Sequence, residues 1–283
     1  MNDQTVIQNI AKESLNKTLE EVLWLLEADD GKTFEEKREE AVRLLSEEAA
    51  PELAETLVDL ASAEKEGAKM KAMFWGLGDV LLDNGRILLR KPTESDRDGY
   101  IAIQEAYNPM RKMLKEQSFC DMIWKEMNSD KSLMLSIEVN GEYIGYCGIK
   151  NTAQSPWEIA IELKPDWTGK GIGRLAIAAM LDEIKQRLGR AEYRLRTEPS
   201  NYASQKLFER LGAKPNGISE LWIHDQETLT KIEEDNLSQI NEDLLEVAAK
   251  FKVEPRLLLS HILEYTLLWD RDRRKRKWAA TTM

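Results

Sequence analysis

The sequence predicts a mixed α/β domain in the middle of the chain, with a helical segment on each side of it. Two strand-like runs, residues 132–139 and 142–149, flank Asn140-Gly141, the residue pair that favours a two-residue hairpin turn. Further strand-like runs alternate with helical runs downstream of this hairpin. Near both ends of the chain, apolar residues instead repeat at the three-and-four spacing of amphipathic helices. These three observations set the fold class.

The central domain is expected to span residues 85–225, about 140 residues, which is a typical domain size. Its predicted order is strand, helix, three strands, helix, strand, helix and strand. The predicted limits are 86–91, 94–106, the two hairpin strands, 157–163, 171–188, 193–197, 202–211 and 221–223. Gly189 and Gly212 follow the last two helices, where glycine commonly ends a helix.

The two flanks differ in charge. Residues 1–84 carry 9 Lys and Arg against 20 Asp and Glu, so we expect an acidic helical domain. The whole chain carries 40 Lys and Arg against 51 Asp and Glu, a net charge of −11. Residues 1–84 alone account for this −11, so the charges of the remaining residues cancel. Asp83-Asn84-Gly85 is a turn signal and marks the expected boundary. Residues 226–283 are expected to form a C-terminal helical extension with a basic end at 271–277. One predicted apolar stripe of this extension contains Leu257, Leu258, Ile262, Tyr265 and Leu268.

Several classes of protein can be set aside. No apolar run approaches the roughly 18 residues of a membrane span, and residues 1–12 are too polar for a signal peptide, so we expect a cytoplasmic protein. Cys120 and Cys147 form no Cys/His cluster with metal-ligand spacing, so no metal is expected. The spacing of residues 247–258 is that of a helix-turn-helix, but Lys252 occupies the turn position where glycine is usual. We therefore do not expect nucleic-acid binding.

A glycine-rich loop at residues 165–174 joins the end of a predicted strand to the start of a predicted helix. Glycine lets the backbone approach a bulky anion, and the first N–H groups of a helix are free to bind it. Lys170 and Arg174 add full positive charges. The loop lacks the Gly-Lys-Ser/Thr of a P-loop and the acidic residue that follows in a Rossmann domain. It is therefore predicted to bind a phosphate whose identity the pattern leaves open.

Four segments carry a resemblance to a known family when taken together, in order and spacing. They are Leu163-Lys164-Pro165, Gly169-Lys170-Gly171-Ile172-Gly173, Ile144-Gly145-Tyr146-Cys147-Gly148, and Asn201-Tyr202-Ala203-Ser204 with Leu207, Leu211 and Gly212 downstream. With them, residues 86–223 resemble the GNAT acetyltransferase superfamily, and within it the RimJ/RimL-like branch. The resemblance implies a mostly antiparallel sheet with a splayed pair of parallel strands and helices on both faces.

The resemblance also implies a co-substrate, acetyl-coenzyme A, and no metal. Its pyrophosphate is expected on the loop formed by Thr168, Gly169, Lys170, Gly171, Ile172, Gly173 and Arg174. Its pantetheine chain is expected to pair with the fourth strand at Ile161 and Leu163, where that strand splays from the fifth. The acetyl thioester is then expected between these strands, near Asn201 and Ser204. The acceptor amine attacks the thioester directly.

Two positions depart from the family pattern. Thr168 stands where the loop usually opens with Arg or Gln, and Phe208 stands where a tyrosine often protonates the leaving thiolate. Phenylalanine cannot donate a proton. Either Ser204 or a water molecule serves instead, or the thiolate leaves unprotonated, which its reference pKa near 8.5 tolerates.

The candidate catalytic bases are Glu158 and Glu162, which share one face of a strand because the side-chain period is two. Carboxylates so placed can attract a cationic amine and accept its proton. Glu158 is preferred, because RimJ/RimL-like sequences often carry Glu before Ile-Gly at this position; the alternative is that both are exposed strand residues without a role. His224 and His261 are not expected to be catalytic.

Two other functions stay open. Phe208 and Thr168 favour a non-catalytic acyl-coenzyme A-binding or regulatory module. The helical flanks favour an acetyltransferase that works in a protein or RNA complex, or a homodimer that uses these flanks as its interface. The acceptor (protein N-terminus, lysine or small amine) is not readable from the sequence.

Overall fold

The structure is a computed structural model that describes residues 31–32, 34–46, 67–76, 78–220 and 225–269, together with residues 18, 22, 25, 54 and 58. The chain divides into two compact units, Met1–Lys69 and Met70–Met283.

The first unit contains helix α1, Phe34–Leu45. Its apolar side buries Ala41 and Leu45 in a small cluster with Val22, Ala54 and Val58. This agrees with the predicted helical character of the segment. Most other residues of the predicted acidic domain lie outside the described residues.

The second unit is built on a mixed sheet. Among the described residues the sheet has eight strands: β1 Val80–Asp83, β2 Leu88–Arg90, β3 Leu133–Val139, β4 Glu142–Ile149, β5 Trp157–Leu163, β6 Glu192–Thr197, β7 Lys214–Ser219 and β8 Ile262–Leu268. Their order is β1-β2-β3-β4-β5-β6-β8-β7. The β5–β6 pair is parallel, and the other described pairs are antiparallel.

Helices cover both faces of this sheet, as the family resemblance implies. They are α2 Arg97–Tyr107, α3 Gln117–Met127, α4 Ile172–Leu188, α5 Tyr202–Leu211, α6 Gln226–Asp235 and α7 Glu242–Phe251. One core contains Ile177 of α4, Phe208 of α5 and Val247 of α7. A second core contains Tyr100 of α2 and Ile123 of α3, packed with Tyr146 and Ala160 of the sheet. The odd-numbered side chains of β5 belong to the first core, and Ala160 belongs to the second.

The predicted hairpin is confirmed. β3 and β4 pair along their length and are joined by Asn140 and Gly141, with φ of 53° and 81°. A two-residue turn of this kind needs two positive φ angles, which asparagine and glycine tolerate best. The predicted strand at 86–91 and helix at 94–106 correspond to β2 and to a 3-10 turn (Glu94–Asp96) followed by α2.

The prediction of a helical stripe reaching Leu268 is wrong, because residues Ile262–Leu268 form strand β8. Leu263, Tyr265 and Leu267 are fully buried, whereas Glu264 and Thr266 between them are half-buried. This alternation of period two is the signature of a strand. Leu257 and Leu258, which the prediction joined to the same stripe, belong to a separate 3-10 turn, Pro255–Leu259.

β8 lies between β6 and β7 and pairs with both. The expected boundary at residue 225 therefore separates strands of one sheet. Similarly, β1 precedes the expected boundary at Asp83-Asn84-Gly85 and pairs with β2 beyond it. The predicted strand at 221–223, His224 and the basic end at 271–277 lie outside the described residues.

Candidate active site

Strands β5 and β6 separate after a short paired stretch. They pair only at Trp157–Tyr193 and Glu158–Arg194. On the other side of β5, the Lys150 N–H donates to the Glu158 carbonyl at 3.0 Å, and the Lys164 N–H donates to the Ile144 carbonyl at 2.8 Å. Because hydrogen-bonding direction alternates along a strand, the even-numbered backbone groups of β5 face β4.

The odd-numbered backbone groups of β5 consequently face the gap between β5 and β6. These are the N–H and C=O groups of Ile159, Ile161 and Leu163, and the last two are the predicted pantetheine-pairing residues. The splayed parallel pair expected from the sequence is thus confirmed. An extended ligand entering the gap would meet a strand edge ready to pair with it.

The predicted phosphate loop lies at the end of β5 and the start of α4. Gly169 and Gly171 have φ of 72° and 77°, the left-handed region that favours glycine, and a Cβ at either would meet no atom within 4 Å. The N–H groups of the first residues of α4 have no acceptor within the helix. Lys170 and Arg174 are exposed beside them. The Thr168 hydroxyl donates to the Pro165 carbonyl at 2.9 Å and so stabilises the loop itself.

The loop helix and the gap adjoin each other. A Cβ on Gly173 would lie 3.1 Å from Cδ1 of Ile161 and 3.8 Å from Cδ1 of Leu163. The absence of a side chain at Gly173 lets the start of α4 pack closely on the splayed part of β5. The anion-binding amides and the open strand edge therefore form one continuous surface, which fits an elongated ligand with phosphates at one end.

Helix α5 contributes the other predicted residues. The Asn201 side chain caps this helix by accepting the Ser204 N–H at 3.1 Å, and Ser204 is half-buried in the first turn. Phe208 is buried, with its ring centroid 5.5 Å from that of Tyr265 on β8. Phe208 is therefore a core residue with no hydroxyl, and the proton donor to the leaving thiolate stays a prediction.

Glu158 is buried among three cations. Lys150 Nζ donates to its Oε1 at 2.6 Å, while Arg196 Nε and Arg194 Nη2 donate to its Oε2 at 2.8 and 3.2 Å. Burial alone raises the pKa of Glu158, but Lys150 and Arg196 outweigh it, so that its pKa lies below the usual range. A carboxylate held ionised by three donors is a weak proton acceptor. The sequence preference for Glu158 as the base therefore runs against its surroundings.

Glu162 has the opposite environment. Gln104 of α2 donates to its Oε2 at 2.8 Å, and the Tyr146 hydroxyl on β4 also hydrogen-bonds to it. Burial raises the pKa of Glu162 more than these two hydrogen bonds and the charge of Lys150 lower it. The carboxylate lies close to four tyrosines, 100, 107, 143 and 146, whose pKa values its charge helps to raise. Glu162 is thus a half-buried carboxylate in an aromatic setting, with a pKa shifted towards that of a useful base.

Strand periodicity correctly predicted that Glu158 and Glu162 share one face of β5. It did not predict the residues that hydrogen-bond to them. Gln104 and Tyr100 come from α2, and Arg194 and Arg196 come from β6. The alternation Arg194-Leu195-Arg196 was a usable signal, since it places two arginines on one face of a strand. Nothing local to Gln104 indicates that it reaches Glu162.

His261 belongs to a different place. Its Nδ1 lies 2.7 Å from Ser260 Oγ and 3.1 Å from the Leu257 carbonyl, in a cleft of about 710 Å³ that the loop after β6 also lines. The exclusion of His261 from catalysis stays a prediction.

No group of three or more metal-binding side chains occurs among the described residues. In the same part of the chain, no helix combines the length and the apolar character needed to cross a membrane.

Comparison with known proteins shows what the central domain resembles. Residues 86–214 match the family model described as an acetyltransferase (GNAT) domain. This segment, somewhat less than half of the chain, is thus similar to the GNAT acetyltransferase family.

Similar proteins come from several sources. A putative [ribosomal protein bS18]-alanine N-acetyltransferase of Bacillus subtilis (strain 168) is 29% identical over 91 residues, which are 32% of this chain and 60% of that protein. The match thus spans about 60% of the curated relative. Among solved structures, Mycobacterium smegmatis RimJ in complex with CoA-disulfide is 16% identical, with a TM-score of 0.44 over 65% of this chain and 83% of that one. The microcin C7 self-immunity acetyltransferase MccE, in complex with acetyl-CoA and AMP, is 15% identical, with a TM-score of 0.46 over 67% and 94%.

Proposed function

We propose that this protein transfers an acetyl group from acetyl-coenzyme A to a primary amine by direct attack of the amine on the thioester. The observation that carries this proposal is the continuity of three features. The loop at Gly169–Gly171 leads into the gap between β5 and β6, and Glu162 lies on the opposite face of β5 from the loop helix. A donor bound on one face can present its acetyl group through the gap to an amine on the other.

The donor is bound by backbone groups more than by side chains. The amides from Gly169 to Arg174 hold the pyrophosphate, helped by the dipole of α4 and the charges of Lys170 and Arg174. The backbone of Ile161 and Leu163 pairs with the pantetheine chain. Asn201, Ser204 and Thr168 lie along the same surface; the hydroxyl of Thr168 is engaged with Pro165, so only its backbone faces the ligand.

Glu162 accepts the proton of the attacking amine. The nitrogen forms a bond to the acetyl carbon, the carbon–sulfur bond breaks, and coenzyme A leaves as a thiolate. Tyr146 and Gln104 hold the carboxylate in place, and burial together with the charge of Glu162 raises the pKa of Tyr146 well above its ordinary value, so it stays a donor. Ser204 or water protonates the thiolate, since Phe208 cannot.

The name of the Bacillus relative favours a protein N-terminal amine as acceptor, with lysine and small amines as the other candidates. Cytoplasmic location, a homodimer through the helical flanks and the lack of nucleic-acid binding stay predictions.

The second candidate function, a non-catalytic acyl-coenzyme A-binding module, is favoured by the buried Phe208. A turnover assay separates the two functions.

Donor binding is tested by thermal melts. A ligand that binds only the folded state stabilises it by about 2.7 kcal/mol at a hundredfold excess over Kd. For a unit of this size that raises Tm by about 5–10 °C. Acetyl-coenzyme A is expected to produce this shift in the wild type, and Gly171→Glu is expected to abolish it through bulk and like charge.

Gly189→Glu is the matched control. Gly189 has the same left-handed backbone, with φ of 70°, and open space around it, but it lies at the other end of α4, about 25 Å away. It should lower the intrinsic Tm to a similar extent and leave the ligand-induced shift intact. An unshifted wild type at millimolar ligand would refute the donor site.

A further inference from the structure

Three cationic side chains meet on the Glu162 face of the sheet, where β5 and β6 begin to separate. Lys150, Arg194 and Arg196, here called the basic cluster, all hydrogen-bond to Glu158. Glu264 of β8 approaches Arg194, with its Oε1 3.7 Å from Nη1. The cluster thus has three positive charges against two negative ones, within a chain whose net charge is −11.

The basic cluster has hydrogen-bond donors that the described residues do not use. Arg196 uses only its Nε towards the described residues, so both terminal nitrogens of its guanidinium are available, and its side chain is 22% exposed. The Nε of Arg194 is buried and has no hydrogen-bond partner in the described part of the chain. A guanidinium with unused donors matches the paired oxygens of a carboxylate.

The distance from Glu162 limits the ligand. Glu158, at the centre of the basic cluster, precedes Glu162 by four residues on the same strand, so their Cα atoms are about 13 Å apart at 3.3 Å per residue. Arg196 lies two residues beyond the Glu158–Arg194 pair of the parallel strands, and so about 7 Å from Glu162 along the strand direction. An extended peptide covers these distances in two to four residues, which favours a peptide over a single amino acid.

We propose that the basic cluster binds an acidic side chain of the acceptor, and that the preferred acceptor is a peptide N-terminus with Asp or Glu within about its first five residues. The inference rests on the proposed function, since it assumes that the acceptor amine reaches Glu162. Arg196 supplies the available guanidinium, and Lys150, which is half exposed, adds charge at the rim. Arg196 is here a specificity-determining residue, distinct from the base.

The test uses the full chain and hexapeptides whose other side chains are uncharged. Each peptide contains a single Asp, or a single Asn as its uncharged counterpart, at one position from 2 to 6. Release of free thiol from acetyl-coenzyme A gives kcat/KM for each peptide. Hydrogen bonds to charged groups lead us to expect about a tenfold or greater preference for Asp over Asn at one or more of positions 3–5. The preference should shrink as salt rises from about 0.05 to 0.5 M.

Arg196→Gln is expected to remove the preference mainly by raising KM for the Asp peptides, while neutral peptides change little. Arg196→Lys should restore part of it. Arg210→Gln, an exposed arginine on α5, is the matched control and should keep the wild-type preference. For each variant, a rise in Tm on adding acetyl-coenzyme A equal to that of the wild type shows that the donor site is intact.

Equal rates for Asp and Asn peptides in the wild type would overturn this inference and leave the acetyltransferase function standing. A preference that survives in Arg196→Gln, at unchanged KM, would overturn it too. Absence of thiol release with every peptide and small amine would overturn the proposed function, and the inference with it.

Discussion

Glu158→Gln is expected to lower the free energy of unfolding by about 3–5 kcal/mol, the usual effect of breaking a buried ion pair from one side. The substitution leaves Lys150, Arg194 and Arg196 facing one another without their shared carboxylate. For a unit of this size, the expected fall in Tm is about 6–20 °C. Thermal and urea unfolding of both proteins at neutral pH measure it.

The effect should also depend on pH, with a sign set by the lowered pKa of Glu158. A carboxyl whose folded pKa lies below its unfolded value stabilises the fold above the unfolded value, near 4.5, and loses that contribution as pH falls through the folded pKa. The two proteins should therefore converge in stability below about pH 4.5.

Glu142→Gln is the control for this prediction, because Glu142 forms an exposed ion pair with Lys164 at 2.9 Å on the neighbouring strand β4. Exposed pairs contribute about 0–1 kcal/mol, so this variant should melt near the wild type. If Glu158→Gln melts like wild type and instead loses catalysis at unchanged acetyl-coenzyme A affinity, Glu158 is the base after all.

Glu162→Gln is expected to lower kcat/KM by about 10²–10⁴-fold, equivalent to about 2.7–5.4 kcal/mol of barrier. The substitution keeps the shape and an oxygen acceptor for Gln104 or Tyr146, but it removes the carboxylate that we propose as the proton acceptor. Acetyl-coenzyme A affinity should stay unchanged, since the loop and the β5 edge are untouched. Steady-state kinetics and ligand-induced melt shifts measure the two quantities.

The stability of Glu162→Gln is a second measurement. The expected change in Tm has the opposite sign to the change expected for Glu158→Gln. Burial raises the folded pKa of Glu162, so its charged form weakens the fold as pH rises through that pKa. Glu162→Gln should thus melt at or above the wild-type Tm at neutral pH while losing activity. A variant that is both inactive and strongly destabilised would point to a structural role.

The pH profile distinguishes a base from a positioning group. Wild-type kcat/KM should rise with pH along a limb set by a carboxyl above its ordinary value, and this limb should be absent in Glu162→Gln. Part of the lost rate should return at high pH, where more of the acceptor is free amine. Wild-type turnover by Glu162→Gln at neutral pH would exclude the assignment.

The sequence was most informative where the determinant is local. The Asn140-Gly141 turn, and the glycines that give the loop after β5 its positive φ angles, require particular residues at particular positions and so are visible in one sequence. The splayed strands followed from the family resemblance. By contrast, β8 was mistaken for helix because its leucines also fit a helical spacing, and its burial depends on neighbours far away in the chain.

The same limit of single-sequence prediction applies to the residues of the candidate active site. Strand periodicity placed Glu158 and Glu162 on one face but could not distinguish them, because both are carboxylates on one strand. What separates them is the tertiary surroundings: arginines from β6 around Glu158, and Gln104 from α2 beside Glu162. A single sequence does not reveal such long-range partners.

The position of β8 has a consequence for how the protein is made. β6 and β7 meet the same partner, which is synthesised last of the three: Thr197 pairs with Leu263, and Lys214 pairs with Thr266. Until residue 268 has left the ribosome, both strands present unpaired edges, the kind of surface that recruits other chains. Pairings this distant in sequence also form slowly. The nascent unit is therefore expected to depend on chaperones until its translation passes β8.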